Sequence, residues 1–345
     1  MAQFVEPLKK HGIELEISPF LDAKQFGEFY KGSGILTKAS GTLGPVLKRI
    51  GQLGTVGKYD LIFVQREAMF FGPALFEWLY KSTSGAPVVL DLDDATYIRY
   101  VSPRYGKTGS LLKFFGKTDN LIKRSAAVMC GNRFIAEYVE SKGAKAAVIP
   151  TVVDTDKFQP VEKINDTPVL GWIGTHSTFP FLQTLFPVLE ELAEIHRFVL
   201  KIVGAGKKNI KVKGVEVRNL DWELNREIED FQTLDIGLYP MTVTDSANRQ
   251  WLQGKSGFKA IQYMAVGVPF VMSPVGVGGE IGVPGETHFN AEADEDWYNS
   301  LNKLLSDADL RTQMGRNARE HSIENYTVAE QAGKMAAVFD EAVRK

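Results

Sequence analysis

Short apolar runs recur along this chain, most of them followed by a turn rich in Gly, Asp or Ser and then by a stretch of helical periodicity. In the first half they are Tyr59–Val64, Pro87–Asp94, Ala126–Cys130 and Ala146–Pro150. In the second half they are Val169–Gly174, Phe198–Val203, Val215–Arg218, Leu234–Tyr239 and Phe270–Ser273. Runs this short and continuously apolar read as strands buried on both faces. Strand, helix, strand at this rhythm predicts βαβ units and parallel sheets.

At 345 residues the chain is too long for one ordinary core, which predicts two domains. The polar stretch from Asp154 to Thr167 is the best linker, giving a first domain over 1–155 and a second over 165–326. Helical periodicity is expected over 70–81, 111–124, 133–142, 180–196, 224–232, 295–306, 308–321 and 327–343, with 96–110 a long loop. Residues 2–12 read as a helix closed by Gly12, Ile13–Ile17 alternates like a strand, and 20–58 look mostly helical. An α/β domain rarely opens on a helix, so a further strand is expected ahead of residue 1.

Apolar content of 44% and charged content of 24% place the chain among soluble globular proteins. A single cysteine, Cys130, excludes an internal disulfide and fits a reducing compartment. No 18-residue apolar run and no signal peptide are present, so a cytoplasmic location is expected. Residues 1–155 hold 20 Lys+Arg against 15 Asp+Glu, and residues 156–345 hold 20 against 27. A basic first half could meet an anionic membrane face or an anionic acceptor, and a chance asymmetry of surface residues explains it as well. The mixed basic and apolar segment Leu111–Lys117, with Leu121, Ile122, Lys123 and Arg124, could lie on a membrane or pack on the core. No basic run or nucleic-acid motif appears, so nucleic acid is not an expected partner.

The stretch with most chemical content runs from Gly254 to Pro269. A loop containing Gly254, Lys255, Ser256 and Gly257 enters a short helix from Phe258, which Gly267 stops and Pro269 blocks. Free amides at a helix start beside a lysine suit a phosphate or diphosphate, although an ordinary turn with a surface lysine has the same local pattern. Two more glycine turns, Gly171–Ser177 and Gly204–Gly206, follow strands of the same domain. In open parallel sheets ligands bind beyond the carboxyl ends of the strands, so the three together could cradle a nucleotide diphosphate. Neither turn completes the dinucleotide fingerprint, and no P-loop is present. Trp222 could stack on a base or pack in the core. His176 could touch a phosphate or a sugar hydroxyl, or be solvated. In the first domain Asp91, Asp93 and Asp94 end a strand, where acids cap helices and loops or hold a metal or an acceptor.

Taken together, three segments resemble the GT-B glycosyltransferases, and glycosyltransferase family 4 most of all. They are Val148–Asp154 with Phe158, then Gly171-Trp172-Ile173-Gly174, and then Lys255–Pro269 running on to Ser273-Pro274-Val275-Gly276. The resemblance covers residues 125–345 well and the first 125 weakly. It implies two Rossmann-like, doubly wound parallel-sheet domains facing a cleft, the second holding a nucleotide sugar and the first an acceptor. It also implies a last helix, 327–345, returning to the first domain. The implied activity is hexosyl transfer from a nucleoside-diphosphate sugar to a sugar, lipid-linked or small-molecule acceptor. Retention of configuration is implied, with no bound metal or cofactor.

The resemblance assigns diphosphate binding to the backbone of Ser256, Gly257 and Phe258. The two glycine turns are expected to bring Gly174, Thr175, His176 and Gly204 to the donor, and the resemblance assigns the ribose hydroxyls to Gln262, where the family has glutamate. The family's sugar-binding glutamate falls on Gly254, and its basic residues after the first glycine turn have no counterpart. Lys255, with Arg249, is therefore expected to supply the charge, and Asp93 or Asp94 to orient the acceptor. The lost glutamate leaves two alternatives in view, a non-catalytic nucleotide- or sugar-binding module and a sugar-nucleotide epimerase on the same fold.

Overall fold

The computed structural model describes residues 1–30, 35–98, 114–162, 165–243 and 246–344, without the side chains of 28–30, 35–40 and 246–248. The chain divides into two compact units, one of Met1–Ile149 with Ala332–Lys345 and one of Pro150–Gln331.

The first unit carries a four-stranded sheet, β1 (Ile62–Gln65), β2 (Val88–Leu92), β3 (Ala127–Cys130) and β4 (Ala146–Val148), in the order β1-β2-β3-β4. All three pairings are parallel. The middle strands are buried along nearly their whole length, as apolar runs covered on both faces should be. Leu90, Leu92, Val128, Ile122 and Ile135 form the centre of the core between the sheet and the flanking helices. Asn132 starts the Arg133–Ser141 helix by accepting from the Ile135 amide at 2.9 Å. Cys130 is buried, and burial pushes its thiol up to about 12, which makes it inert.

The second unit carries six parallel strands, β5 (Val169–Ile173), β6 (Val199–Val203), β7 (Glu216–Leu220), β8 (Ile236–Tyr239), β9 (Phe270–Met272) and β10 (His288–Asn290). Their order is β10-β9-β8-β5-β6-β7, so the chain runs outward from β5 through β6 to β7, then crosses back to β8 and continues outward to β10. That reversal beside β5 is the switch point at which open α/β sheets leave a crevice. Two apolar layers sandwich the sheet, one around Leu170, Leu189, Leu200 and Leu301, the other around Phe231, Tyr263, Met264 and Phe270. Gly171 and Gly237 let this happen. A Cβ on the first would lie 2.2 Å from Leu234, and one on the second 2.8 Å from the Tyr263 ring.

Local differences from the sequence reading have identifiable causes. Ile13–Ile17 has no regular secondary structure and joins no described ladder, because alternation of Ile and Leu with Glu at partial burial suits an irregular surface segment as well as a strand. The helix expected from Phe70 begins at Leu75, after Gly72 at φ +76° and Pro73. The 180–196 segment is two short helices, Phe179–Gln183 and Phe186–Leu192. The helix Ser246–Gln253 and the edge strand β10 are additional elements. Of the basic-apolar segment, Leu111, Leu112 and Lys113 lie outside the described residues, as does most of the 96–110 loop. The described helix there is Lys117–Arg124, with Leu121 and Ile122 turned into the core. The last helix spans Val328–Arg344, and its residues from Ala332 onward belong with the first unit, where Phe339 meets Phe63 edge-on.

Candidate functional site

The carboxyl ends of β5, β6 and β7 converge through their turns. The Gly174 amide continues the ladder to the Val203 carbonyl, and the Gly204 amide to the Leu220 carbonyl. Gly204 sits at φ +82°, and a Cβ there would lie 2.3 Å from the Gly174 carbonyl oxygen. Only glycine permits two backbones to approach so closely at a positive φ. Thr175 and Thr178 tie the first turn, the Thr175 amide donating to Thr178 Oγ1 at 3.1 Å. His176 is exposed above Gly206, and Trp222 lies beside Gly204 just past β7. Trp222 is 46% exposed, so its indole face is presented to solvent rather than spent on the core.

Between β8 and β9 lies the Phe258–Ala265 helix, so its amino end stands at the carboxyl side of the same sheet. Its N-cap, Gly257, has φ +65°, and no side chain caps the helix. The amides of Ser256 and Gly257 donate to no described group, and that of Phe258 opens the first turn. Lys255 is half-buried with its Nζ 4.0 Å from the Trp251 ring centre. Arg249 is exposed on the Ser246–Gln253 helix and makes no described contact with this group.

Gln262 is fully buried one turn into the helix. Its Oε1 accepts from Lys259 Nζ at 3.1 Å, and its Nε2 donates to Glu227 Oε1 at 3.2 Å. Lys259 Nζ is itself 3.8 Å from Glu227. The amide is thus held by two charged neighbours, one of which, Glu227, arrives from the segment that follows Trp222. Burial lowers the Lys259 pKa, with Glu227 opposing the shift. Glu227 and Lys259 were not singled out from sequence. Lys259 had a signal, lying three residues before Gln262 on one helical face; Glu227, thirty-five residues away, had none.

In the first unit, Asp91, Asp93 and Asp94 close β2. Arg66, just past β1 at φ +62°, clamps Asp93 with Nε and Nη2 at 2.5 and 2.7 Å and lies 3.5 Å from Asp94. This fork-on-carboxylate geometry fixes the orientation of Asp93. Asp91 has no such partner. Desolvation, and then the charge of Asp93, raise its pKa to about 7. No cluster of three metal-ligating side chains occurs among the described residues.

No family model matches this chain, and no curated protein matches its sequence. Solved structures do match it in shape. A glycosyltransferase from Rickettsia africae superposes with a TM-score of 0.65 at 14% identity, covering 99% of this chain and 88% of that one. The Anabaena protein Alr3699/HepE, solved in complex with UDP-glucose, gives 0.62 at 16% identity over 97% and 88%. Sucrose-phosphate synthase from Thermosynechococcus elongatus gives 0.61 at 15% over 95% and 82%. The fold is GT-B. Both parallel-sheet units are those of that fold, so the crevice beside β5 and the Phe258 helix start occupy the second, carboxyl-terminal GT-B unit.

Proposed function

We propose that this chain is a glycosyltransferase, of the family 4 type, which moves a hexosyl group from a nucleoside-diphosphate sugar to an acceptor hydroxyl with retention. The observation that carries the reading is the construction at the carboxyl edge of the second sheet. Two glycine turns touch, an exposed Trp222 stands beside them, and an uncapped helix start is flanked by Lys255 and Lys259. An aromatic face, close backbone and free amides with cations suit a base, a ribose and a diphosphate in turn.

In this reading the acceptor oxygen bonds to the anomeric carbon as its bond to the diphosphate breaks, and the acceptor proton leaves on the departing phosphate. Negative charge grows on the diphosphate. The Ser256, Gly257 and Phe258 amides, with Lys255, stabilise it most where it is greatest, in the transition state. Gln262, buried behind Glu227, acts at the ribose by holding that carboxylate in place, while Gly174, Thr175, His176 and Gly204 line the donor's path and Arg249 adds longer-range charge. Asp93 and Asp94, held by Arg66, orient the acceptor. No metal or cofactor is assigned a role. The acceptor is a sugar, a lipid-linked sugar or a small molecule, and the protein is placed in the cytoplasm. No described helix is long and apolar enough to cross a membrane.

Incubation with UDP-, GDP- and ADP-sugars and an acceptor panel tests the proposal. Release of nucleoside diphosphate that depends on acceptor supports it, and the anomeric configuration of the product tests retention. Tight nucleotide binding with no turnover would favour a binding module, a reading fed by Gly254 where the family has glutamate. Epimerised donor would favour the isomerase chemistry.

A further inference from the structure

Lys255 lies two residues past the Ser246–Gln253 helix, whose last turn is closely held. The Gly254 amide donates to the Gln250 carbonyl and the Lys255 amide to the Leu252 carbonyl, each at 3.1 Å. Leu252 is buried in the core. Gly276, at φ +63°, packs on the same turn, backbone against backbone. A Cβ there would lie 2.6 Å from Gln253 Cα and 2.8 Å from the Leu252 carbonyl oxygen. A turn fastened in this way sets the direction in which its side chains leave it. Trp251 and Lys255, four residues apart, emerge on one side, and Lys255 Nζ stands 4.0 Å from the centre of the Trp251 ring.

Trp251 is 38% exposed, so packing in the core does not account for the whole ring. Its face instead meets an ammonium, which the ring quadrupole attracts. The carbonyl end of the Ser246–Gln253 helix favours a cation at the same place. This matters because a lysine carries its charge on a flexible four-carbon stem, and ordering that stem on binding opposes affinity. A ring that confines the ammonium beforehand lowers that cost. Unlike a carboxylate, an aromatic face does so without neutralising the charge. The confined ammonium belongs to the residue next to Ser256 and Gly257, whose amides open the Phe258–Ala265 helix.

We infer that Trp251 is a positioning residue, which holds the Lys255 ammonium at this helix start in the place where it meets the donor diphosphate. The inference rests on the glycosyltransferase reading for the diphosphate, and adds the residue that makes Lys255 effective there. Trp251 acts through Lys255 and does not itself touch the ligand.

Calorimetric titration of the full chain with UDP, GDP and ADP tests it, using whichever nucleotide the wild type binds most tightly. Trp251→Leu should weaken that binding by about three- to tenfold. Trp251→Tyr keeps a ring face and should restore most of the loss, which separates the face from a damaged fold; melting temperatures are read alongside. Lys255→Met should weaken binding at least as much as Trp251→Leu. Adding Trp251→Leu to Lys255→Met should then change little, because the ring has no cation left to hold. Binding unchanged in Trp251→Leu overturns the inference. So does a loss that adds in full to that of Lys255→Met, which would put the ring on the ligand itself. Both of those results leave the diphosphate site standing, whereas a wild type that binds none of the three nucleotides removes the site and the inference together.

Discussion

Replacing Gly204 by alanine should damage stability and donor binding together, and the size of the effect follows from the geometry. At φ +82° an L-residue is strained by about 1–2 kcal/mol. The loss of unfolded-chain freedom on removing a glycine returns a few tenths of that, up to about 1 kcal/mol. The added methyl would also lie 2.3 Å from the Gly174 carbonyl oxygen. That oxygen is backbone at the end of a buried central strand and cannot swing aside as a side-chain tip can, so relief means parting the β5 and β6 turns, at about 1–3 kcal/mol. The net is a loss of about 2–4 kcal/mol, or roughly 5–15 °C in melting temperature for a unit of this size. Gly279→Ala is the matched control, since its methyl meets nothing within 4 Å at an ordinary φ. Differential scanning calorimetry compares the two, and UDP titration follows donor affinity, which should fall in Gly204→Ala alone. A Gly204→Ala protein that melts with the control would refute the argument that the turns must touch.

Lys259→Met keeps an unbranched side chain near Phe231 and Phe258 but removes the charge that lies 5.3 and 5.9 Å from those rings; UDP affinity by calorimetry should drop about tenfold, and an unchanged affinity would remove Lys259 from the diphosphate site. His288 is buried against Phe270, and desolvation holds its pKa down to about 4 from 6.5. The unfolded chain therefore takes up a proton that the folded one refuses, so stability is lost as pH falls from 6.5 towards 4, by about 3 kcal/mol in all. Urea midpoints at the two ends of that window should differ less in His288→Gln. Asp91 runs the other way, because its raised pKa makes the folded state hold a proton that the unfolded state releases. Its contribution is present below pH 3.8 and lost as pH rises through about 7, so Asp91→Asn should stabilise the protein at pH 8 by about 2 kcal/mol in the same urea assay.

The sheet strands were legible because parallel strands buried on both faces leave continuous apolar runs, and Val88–Leu92 or Val199–Val203 could be little else. β10 was not, since His288, Phe289 and Asn290 carry no such apolar run. The helix start at Gly257 was legible in its glycine and the lysine before it. Trp222 was ambiguous, because an indole at a strand end suits either core or solvent until the fold shows which side it faces. The Glu227–Gln262–Lys259 cluster joins segments far apart in the chain, and no local pattern announces a contact of that kind. Arg66 was equally hidden. A lone arginine after β1 looks like solvated surface until the parallel pairing of β1 with β2 brings its side chain within reach of Asp93.

The two ends of the second unit meet. The Val153 amide donates to the Tyr326 carbonyl at 3.0 Å, and Val153 bridges to Thr327. Arg319 fastens the same entry segment, giving its guanidinium to the carbonyls of Thr155, Phe158 and Ala265. Residues 150–331 are therefore a closed insert whose entry and exit are stitched side by side, while the first unit is assembled from both extremities of the chain. Excision should reflect that asymmetry. A fragment of 150–331 keeps its own sheet, both its apolar layers and its stitched ends, and should fold and retain UDP affinity when expressed alone. A fragment of 1–149 lacks the Phe339 side of its core and should not reach a cooperative native state.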